Sequence, residues 1–62
     1  MSAQFVPSVW TVQVGRHEVV VERIDARLWK VLVDGKRQGT YCSESRARAA
    51  GRDEAKRRAQ RR

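Results

Sequence analysis

Residues 43–62 read SESRARAAGRDEAKRRAQRR, and this stretch decides how the rest of the chain is organised. Small residues recur every four positions at Ala47, Gly51 and Ala55, and residues four apart lie on one face of a helix. A stripe of small side chains is narrow and flat, which suits close packing on a sheet. The stretch therefore predicts a helix docked on a β-sheet, with the backbone at Gly51 passing over a tryptophan ring.

The same stretch carries most of the charge of the chain. It holds eight basic and three acidic residues, which give +5 of the formal net charge of +7. Because Arg58 falls where a core residue would be needed, we expect 47–55 to be docked and 56–62 to form a solvated or frayed tail. A basic surface of this kind favours nucleic acid or an acidic protein as partner, and solubility alone is the other explanation.

The residues before the helix alternate between apolar and polar side chains, as half-buried strands do. After a loose lead-in at 1–7, strands are predicted at 9–14, 17–24 and 28–33. A two-residue turn at Gly15 and Arg16 brings most large apolar residues of the first hairpin onto one face. The predicted core face consists of Trp10, Val12, Val19, Val21, Trp29, Val31 and Val33.

The next two turns are predicted to be longer. A three-residue turn at 25–27 pairs Ile24 with Leu28 and keeps the valines of the two strands opposite each other. The Asp-Gly pair at 34–35 is a strong turn signal, but a two-residue turn there would direct Lys36 onto the core face. We therefore expect a longer loop and a short fourth strand near 39–42.

Together these elements predict an α+β fold in a single domain, 1–62. An antiparallel meander of three strands, with a short fourth strand, occupies 8–42. One C-terminal helix within 43–62 starts after Ser43, a favourable N-cap residue, and packs on one face of the sheet. A chain of 62 residues buries only about 60% of its unfolded surface, so a monomer would be marginally stable.

Several classes of function lack support in the sequence. One cysteine, Cys42, and one histidine, His17, form neither an internal disulfide nor a four-ligand zinc site. No catalytic constellation is recognisable, so we expect no enzyme, no cofactor, no metal and no small-molecule substrate. No segment is apolar and long enough to span a membrane, and we expect a cytoplasmic protein that does not bind membranes.

The outer face of the predicted sheet carries an apolar band formed by Val9, Val20 and Leu32. A band that crosses three strands is typical of a homodimer contact or of a site for another protein. Two glutamates of the second strand share this face, and they disfavour reading of a DNA groove by the sheet.

The run LWKVLVDGK at 28–36, then GTYCS at 39–43 and an alanine-rich helix, resembles the Arm-type N-terminal DNA-binding domains of phage and transposon integrases. The run is also similar to small uncharacterised bacterial and phage domains built of a sheet and one helix. The resemblance covers about residues 9–55. It implies a three-stranded sheet with a helix, and DNA binding.

We therefore predict a small nucleic-acid-binding accessory or regulatory protein of phage or mobile-element type, which binds duplex DNA mainly through phosphates. The predicted contact residues lie on the helix and its tail: Arg48, Arg52, Lys56, Arg57, Arg58, Arg61 and Arg62. The alternative is a protein-interaction module or a homodimer that uses Val9, Val20 and Leu32.

Overall fold

The computed structural model describes residues 8–60, which form a four-stranded antiparallel sheet and one helix. The elements are β1 (Val9–Val14), β2 (His17–Asp25), β3 (Leu28–Val33), β4 (Lys36–Tyr41) and α1 (Glu44–Gln60). The strand order is β1-β2-β3-β4, so each strand pairs with its neighbour in sequence. The predicted α+β meander with a C-terminal helix is confirmed. The predicted lead-in at 1–7 and two of the predicted contact residues, Arg61 and Arg62, lie outside the described residues.

The first hairpin has the predicted register. Val14 pairs with His17 across a two-residue turn, and Trp10 pairs with Val21. Gly15 opens the turn with a φ of +61°, a conformation that glycine adopts without steric cost. The alternation of side chains in β1 and β2 therefore puts the apolar residues on the face that the sequence predicted.

The second hairpin differs from the prediction at its turn. Glu22 pairs with Lys30 as expected, but Asp25 pairs with Leu28, so the prediction that Ile24 pairs with Leu28 is wrong. Ile24 is instead the extra residue of a β-bulge. The bulge lets a two-residue turn close the hairpin while the valines further along both strands stay opposite each other.

The third hairpin has a tight turn rather than the longer loop that was predicted. Asp34 and Gly35 have φ values of +55° and +80°. Positive φ at both central residues is the geometry of the two-residue hairpin turn that an Asp-Gly pair favours. The fourth strand accordingly starts at Lys36 and has 6 residues, which makes it longer than expected.

A second β-bulge explains how β4 can follow a tight turn and still place Tyr41 on the core face. Gln38 is the extra residue in β4, because the pairing resumes with Gly39 opposite Val31. One extra residue exchanges the two faces of the strand beyond it. Tyr41 therefore lies opposite Trp29, as predicted, although the reason is a bulge and not a long loop.

The core lies between α1 and the inner face of the sheet. Its fully buried members are Val19, Val21, Val31, Val33, Ala47 and Ala55. The tryptophans Trp10 and Trp29 are only partly buried and pack at its margin. A Cβ atom added to Gly51 would lie 2.5 Å from Val19 Cγ1 and 3.1 Å from Val31 Cγ1. The helix therefore approaches the sheet over two valines, and the prediction of a tryptophan ring beneath Gly51 is wrong.

Both ends of α1 are anchored. At the first turn the Arg46 N–H donates to Ser43 Oγ at 3.5 Å, in agreement with the predicted N-cap. At the other end Arg58 is partly buried, and Ala59 Cβ lies 3.7 Å from the position of a Cβ built on Gly15. The docked part of the helix therefore extends beyond 47–55, and its last turn is held against the β1–β2 turn.

Candidate nucleic-acid interface

Three basic side chains follow one flank of α1 at intervals of four residues: Arg48, Arg52 and Lys56, here called the basic row. Four residues advance a helix by about 6 Å and turn it only about 40° past a full turn, so the three are neighbours. The guanidinium carbons of Arg48 and Arg52 lie 4.7 and 6.0 Å from the centroid of the Trp10 ring. Because Trp10 belongs to β1, the basic row faces the β1 side of the sheet.

Two members of the basic row have no carboxylate partner among residues 8–60. Arg52 and Lys56 are exposed, and neither takes part in the ion pairs found among residues 8–60. Arg48 pairs with Glu44 at 2.6 Å, while its Nε atom is shielded from solvent and finds no acceptor among the same residues. The row therefore retains positive charge that an external anion can neutralise.

Arg16 is a further exposed cation near the end of α1, and it is absent from the contact residues predicted from the sequence. It is exposed and follows Gly15 in the β1–β2 turn, which packs beside Ala59 at the end of α1. This tertiary contact brings the turn close to the end of the helix. Arg16 therefore adds positive charge near the C-terminal end of α1.

Arg57 and Arg58, also predicted as contact residues, share one carboxylate. Arg57 Nη2 lies 3.1 Å from Glu54 Oε1, and Arg58 Nε lies 3.0 Å from Glu54 Oε2. Arg58 Nη1 also lies 3.8 Å from Asp34 Oδ2. Arg58 is therefore positioned to hold the end of α1 on the sheet, and the structure does not bring it into the basic row.

Asp34 is contacted by three residues from two elements, α1 and β2, at that end of the molecule. Besides Arg58, His17 Nδ1 donates to Asp34 Oδ2 at 2.6 Å, and the Glu18 N–H donates to Asp34 Oδ1 at 3.1 Å. The hydrogen bond from His17, followed by that from Glu18, lowers the pKa of Asp34 below its ordinary value. Within 8–60, no cluster of three or more His, Cys, Asp or Glu residues could hold a metal. The chemistry of this cluster is therefore that of a clamp between turn and helix.

The outer face of the sheet, the other predicted surface, is not covered by any described element. Val20 lies opposite Leu32 and both are partly buried, whereas Val9 is 60% exposed and lies opposite Glu22. The carboxylate of Glu22 pairs with Lys30 at 3.1 Å on the same face. The three predicted interface residues are thus neighbours, but an ion pair borders the apolar patch.

In comparisons with known proteins, no protein-family model, no curated protein and no solved structure matches the chain. The resemblance to the integrase domains thus rests on the sequence pattern alone. Within the described part of the chain, α1 is too polar to cross a lipid bilayer, and no other helix is present.

Proposed function

We propose that this protein binds nucleic acid, with duplex DNA as the ligand, through phosphate contacts of the basic row. The observation that supports this proposal is that Arg52 and Lys56, beside Arg48, form no ion pair within the described part of the chain. They lie on a flank that borders a strand without acidic residues. An exposed row of cations at regular spacing meets a polyanion better than it meets a single ion.

The geometry of the row agrees with the spacing of phosphates. From Arg48 to Lys56 the helix rises about 12 Å. Phosphates along one strand of duplex DNA follow each other at about 3.4 Å along the helix axis, so the length of the row covers about three and a half phosphate intervals and leaves a separate phosphate for each of its three cations. Arg16 supplies a fourth cation beyond the end of the row. Phosphate contacts carry no sequence information, so this mode gives affinity without base readout.

The biological setting is a finer proposal. The resemblance to integrase arm domains favours an accessory or regulatory protein of phage or mobile-element type, without enzymatic activity of its own. A cytoplasmic location belongs to the same proposal, since the protein must meet DNA.

The test is the salt dependence of binding to a fluorescent random-sequence duplex, measured by anisotropy. Each phosphate contact contributes about −0.9 to the slope of log affinity against log salt, so four contacts predict a slope of about −3.6. The double variant Arg52→Gln/Lys56→Gln removes two contacts and should bring the slope to about −1.8.

The matched control is Arg27→Gln/Arg37→Gln, which removes two exposed cations away from the row. Both double variants have the same net charge. If they weaken binding equally, net charge rather than the row attracts the DNA. If the wild-type protein fails to bind at low salt, the nucleic-acid proposal is wrong.

A second candidate function is self-association through the outer face, and the pairing of Val20 with Leu32 on an uncovered face favours it. In that case sedimentation equilibrium shows a dimer for the wild-type protein and a monomer for Val20→Lys. Gln13→Lys adds the same charge at another exposed position of the sheet and should leave the dimer intact. A wild-type monomer at high micromolar concentration would exclude this candidate.

A further inference from the structure

The two edges of the sheet are built differently. β4 carries Lys36 and Arg37 and is interrupted by the bulge at Gln38, and such features discourage the addition of another strand. β1 has the sequence VWTVQV, without charge, proline, glycine or bulge, and it pairs with β2 without interruption. The edge at β1 is therefore open to a further strand.

The backbone groups of β1 alternate between β2 and the free edge. The Ser8 carbonyl accepts a hydrogen bond from the Arg23 N–H at 2.9 Å, which places the even-numbered residues on the β2 side. Odd-numbered residues of β1, such as Thr11 and Gln13, therefore point their N–H and C=O groups outward. Among residues 8–60, β2 is the one strand that pairs with β1, so these outward groups have no strand partner.

The helix packs mainly on β2 and β3, and it also contacts both ends of the β1 edge. Arg48 lies against Trp10 near the start of β1, and Ala59 lies against Gly15 just past its end. Eleven helical residues rise about 16.5 Å, and five strand residues extend about 17 Å. α1 and β1 are therefore nearly parallel, and the basic row borders the space beside β1.

The spacing of the basic row matches that of a strand. Its cations repeat every 6 Å or so along the helix, while alternate residues on one face of a strand repeat about every 6.7 Å. Across the whole row the mismatch is only about 1.4 Å, which flexible arginine and lysine side chains can absorb. A strand added to β1 would thus set every second side chain against a successive cation.

We propose that β1 is a docking edge for an extended acidic peptide, which adds to the sheet and directs an acidic side chain at every second position toward Arg48, Arg52 and Lys56. In strand addition the main chain supplies affinity, and pockets for alternate side chains supply specificity. A second copy of this chain fits less well, because pairing β1 with another β1 brings two basic rows together. A nucleic acid lacks the ladder of amides that the edge requires.

This proposal goes beyond nucleic-acid binding and does not depend on it. Both ligands use the basic row, so an acidic peptide on β1 excludes phosphates from the same cations. A peptide of this kind would act as a competitor of DNA.

The experiment uses the whole chain and fluorescent peptides. The peptide Thr-Glu-Val-Glu-Val-Glu-Thr should bind, whereas a peptide of the same composition with its three glutamates in succession should bind at least about tenfold more weakly. Two N-methylated forms of the alternating peptide, one methylated at the valine amides and one at the glutamate amides, keep the same charge.

In an antiparallel strand the valine amides face β1, and in a parallel strand the glutamate amides face it. One methylated form should therefore lose binding at least about tenfold, since it lacks hydrogen bonds to the edge, while the other binds nearly as the parent does. Equal binding by both methylated forms, or by the two sequence orders, would show that charge alone holds the peptide and would overturn the proposal. No binding of the alternating peptide overturns it as well.

Two protein variants test the same edge. Thr11→Pro removes an outward donor of β1 and should weaken peptide binding, while Thr11→Val keeps the donor and should not. Neither substitution removes a cation, so the salt slope for DNA should stay unchanged, and the two proposals can fail separately. If the wild-type protein is a dimer and Thr11→Pro dissociates it, a second copy occupies the edge, and the proposal of an acidic peptide is overturned.

Discussion

The two faces of the sheet contain the same residue type in different surroundings. Val19 and Val21 in β2 are 0% and 1% exposed because α1 covers them, whereas Val20 between them points to the uncovered face and is partly buried. Intrinsic β-propensity is equal for the three valines. Their difference therefore shows that cover by the helix, rather than strand preference, concentrates the stability of this small domain on one face.

The largest effect on stability expected from this contrast follows from truncating a fully buried valine. Val21→Ala should lower the free energy of unfolding by about 2–3 kcal/mol, since a fully buried side chain is truncated and a cavity remains. Val20→Ala, the matched change on the other face, should cost less than about 1 kcal/mol, because less apolar area is exposed to water. Urea unfolding measures both, and equal losses would contradict the unequal cover.

A slightly smaller effect is expected at the closest contact between helix and sheet. Gly51→Ala improves helix propensity by about 1 kcal/mol, but its new methyl group would meet Val19 Cγ1 at 2.5 Å. Val19 is a stiff β-branched side chain in a filled core, so overpacking of about 1–3 kcal/mol should prevail and destabilise the protein.

The double variant Gly51→Ala/Val19→Ala sharpens this prediction. Val19→Ala removes the methyl groups that the new Cβ would meet, so the two changes should be non-additive and the double variant should be more stable than the sum of the singles predicts. Thermal unfolding of the four proteins gives the coupling energy. Strict additivity would mean that the helix shifts away from the sheet instead.

The smallest effect concerns the polar clamp that holds the end of α1. The folded state lowers the pKa of Asp34, so Asp34 stabilises the protein above its unfolded pKa, and this stabilisation is lost as the pH falls through the lower folded value. Asp34→Asn keeps the positive-φ turn and the size of the side chain. The wild-type protein should be more stable than this variant near pH 6, and the difference should shrink below about pH 4. A difference independent of pH would contradict an ionised clamp.

Much of the fold follows from alternation and turn chemistry. The register of β1 with β2 could be predicted because both strands are regular and a glycine opens a two-residue turn. The stripe of Ala47, Gly51 and Ala55 likewise identified the buried face of α1, since only the spacing of small residues was needed.

The two bulges could not be predicted in the same way. Each inserts one residue, Ile24 or Gln38, so that a tight turn can be followed by a strand with the correct side chains on the buried face. Neither residue type is a signal for a bulge in the sequence. The alternation that argues against a two-residue turn at Asp34 and Gly35 holds only for an unbroken strand. The valines beneath Gly51 were missed because the offset between helix and sheet is a tertiary property.

The positive charge of the candidate interface was predictable from the sequence, but which basic side chains the fold brings together was not. Helical periodicity alone puts Arg48, Arg52 and Lys56 on one flank. The ion pairs that engage Arg57 and Arg58 depend on Glu54 and Asp34, and the approach of Arg16 depends on how the helix ends against a turn.

The neighbour-to-neighbour strand order has a consequence for how fast this chain reaches its native state. Each hairpin is closed by a two-residue turn, so the entropy lost in closing its loop is small. The contacts of greatest sequence separation are those of α1 with the strands, and β2 and β3 receive most of them. A chain that pairs neighbouring strands is expected to fold faster than one that pairs distant strands, and the contacts of α1, which join residues far apart in the sequence, are expected to form after the hairpins. A newly made chain would therefore expose its valines only briefly, which limits its opportunity to aggregate.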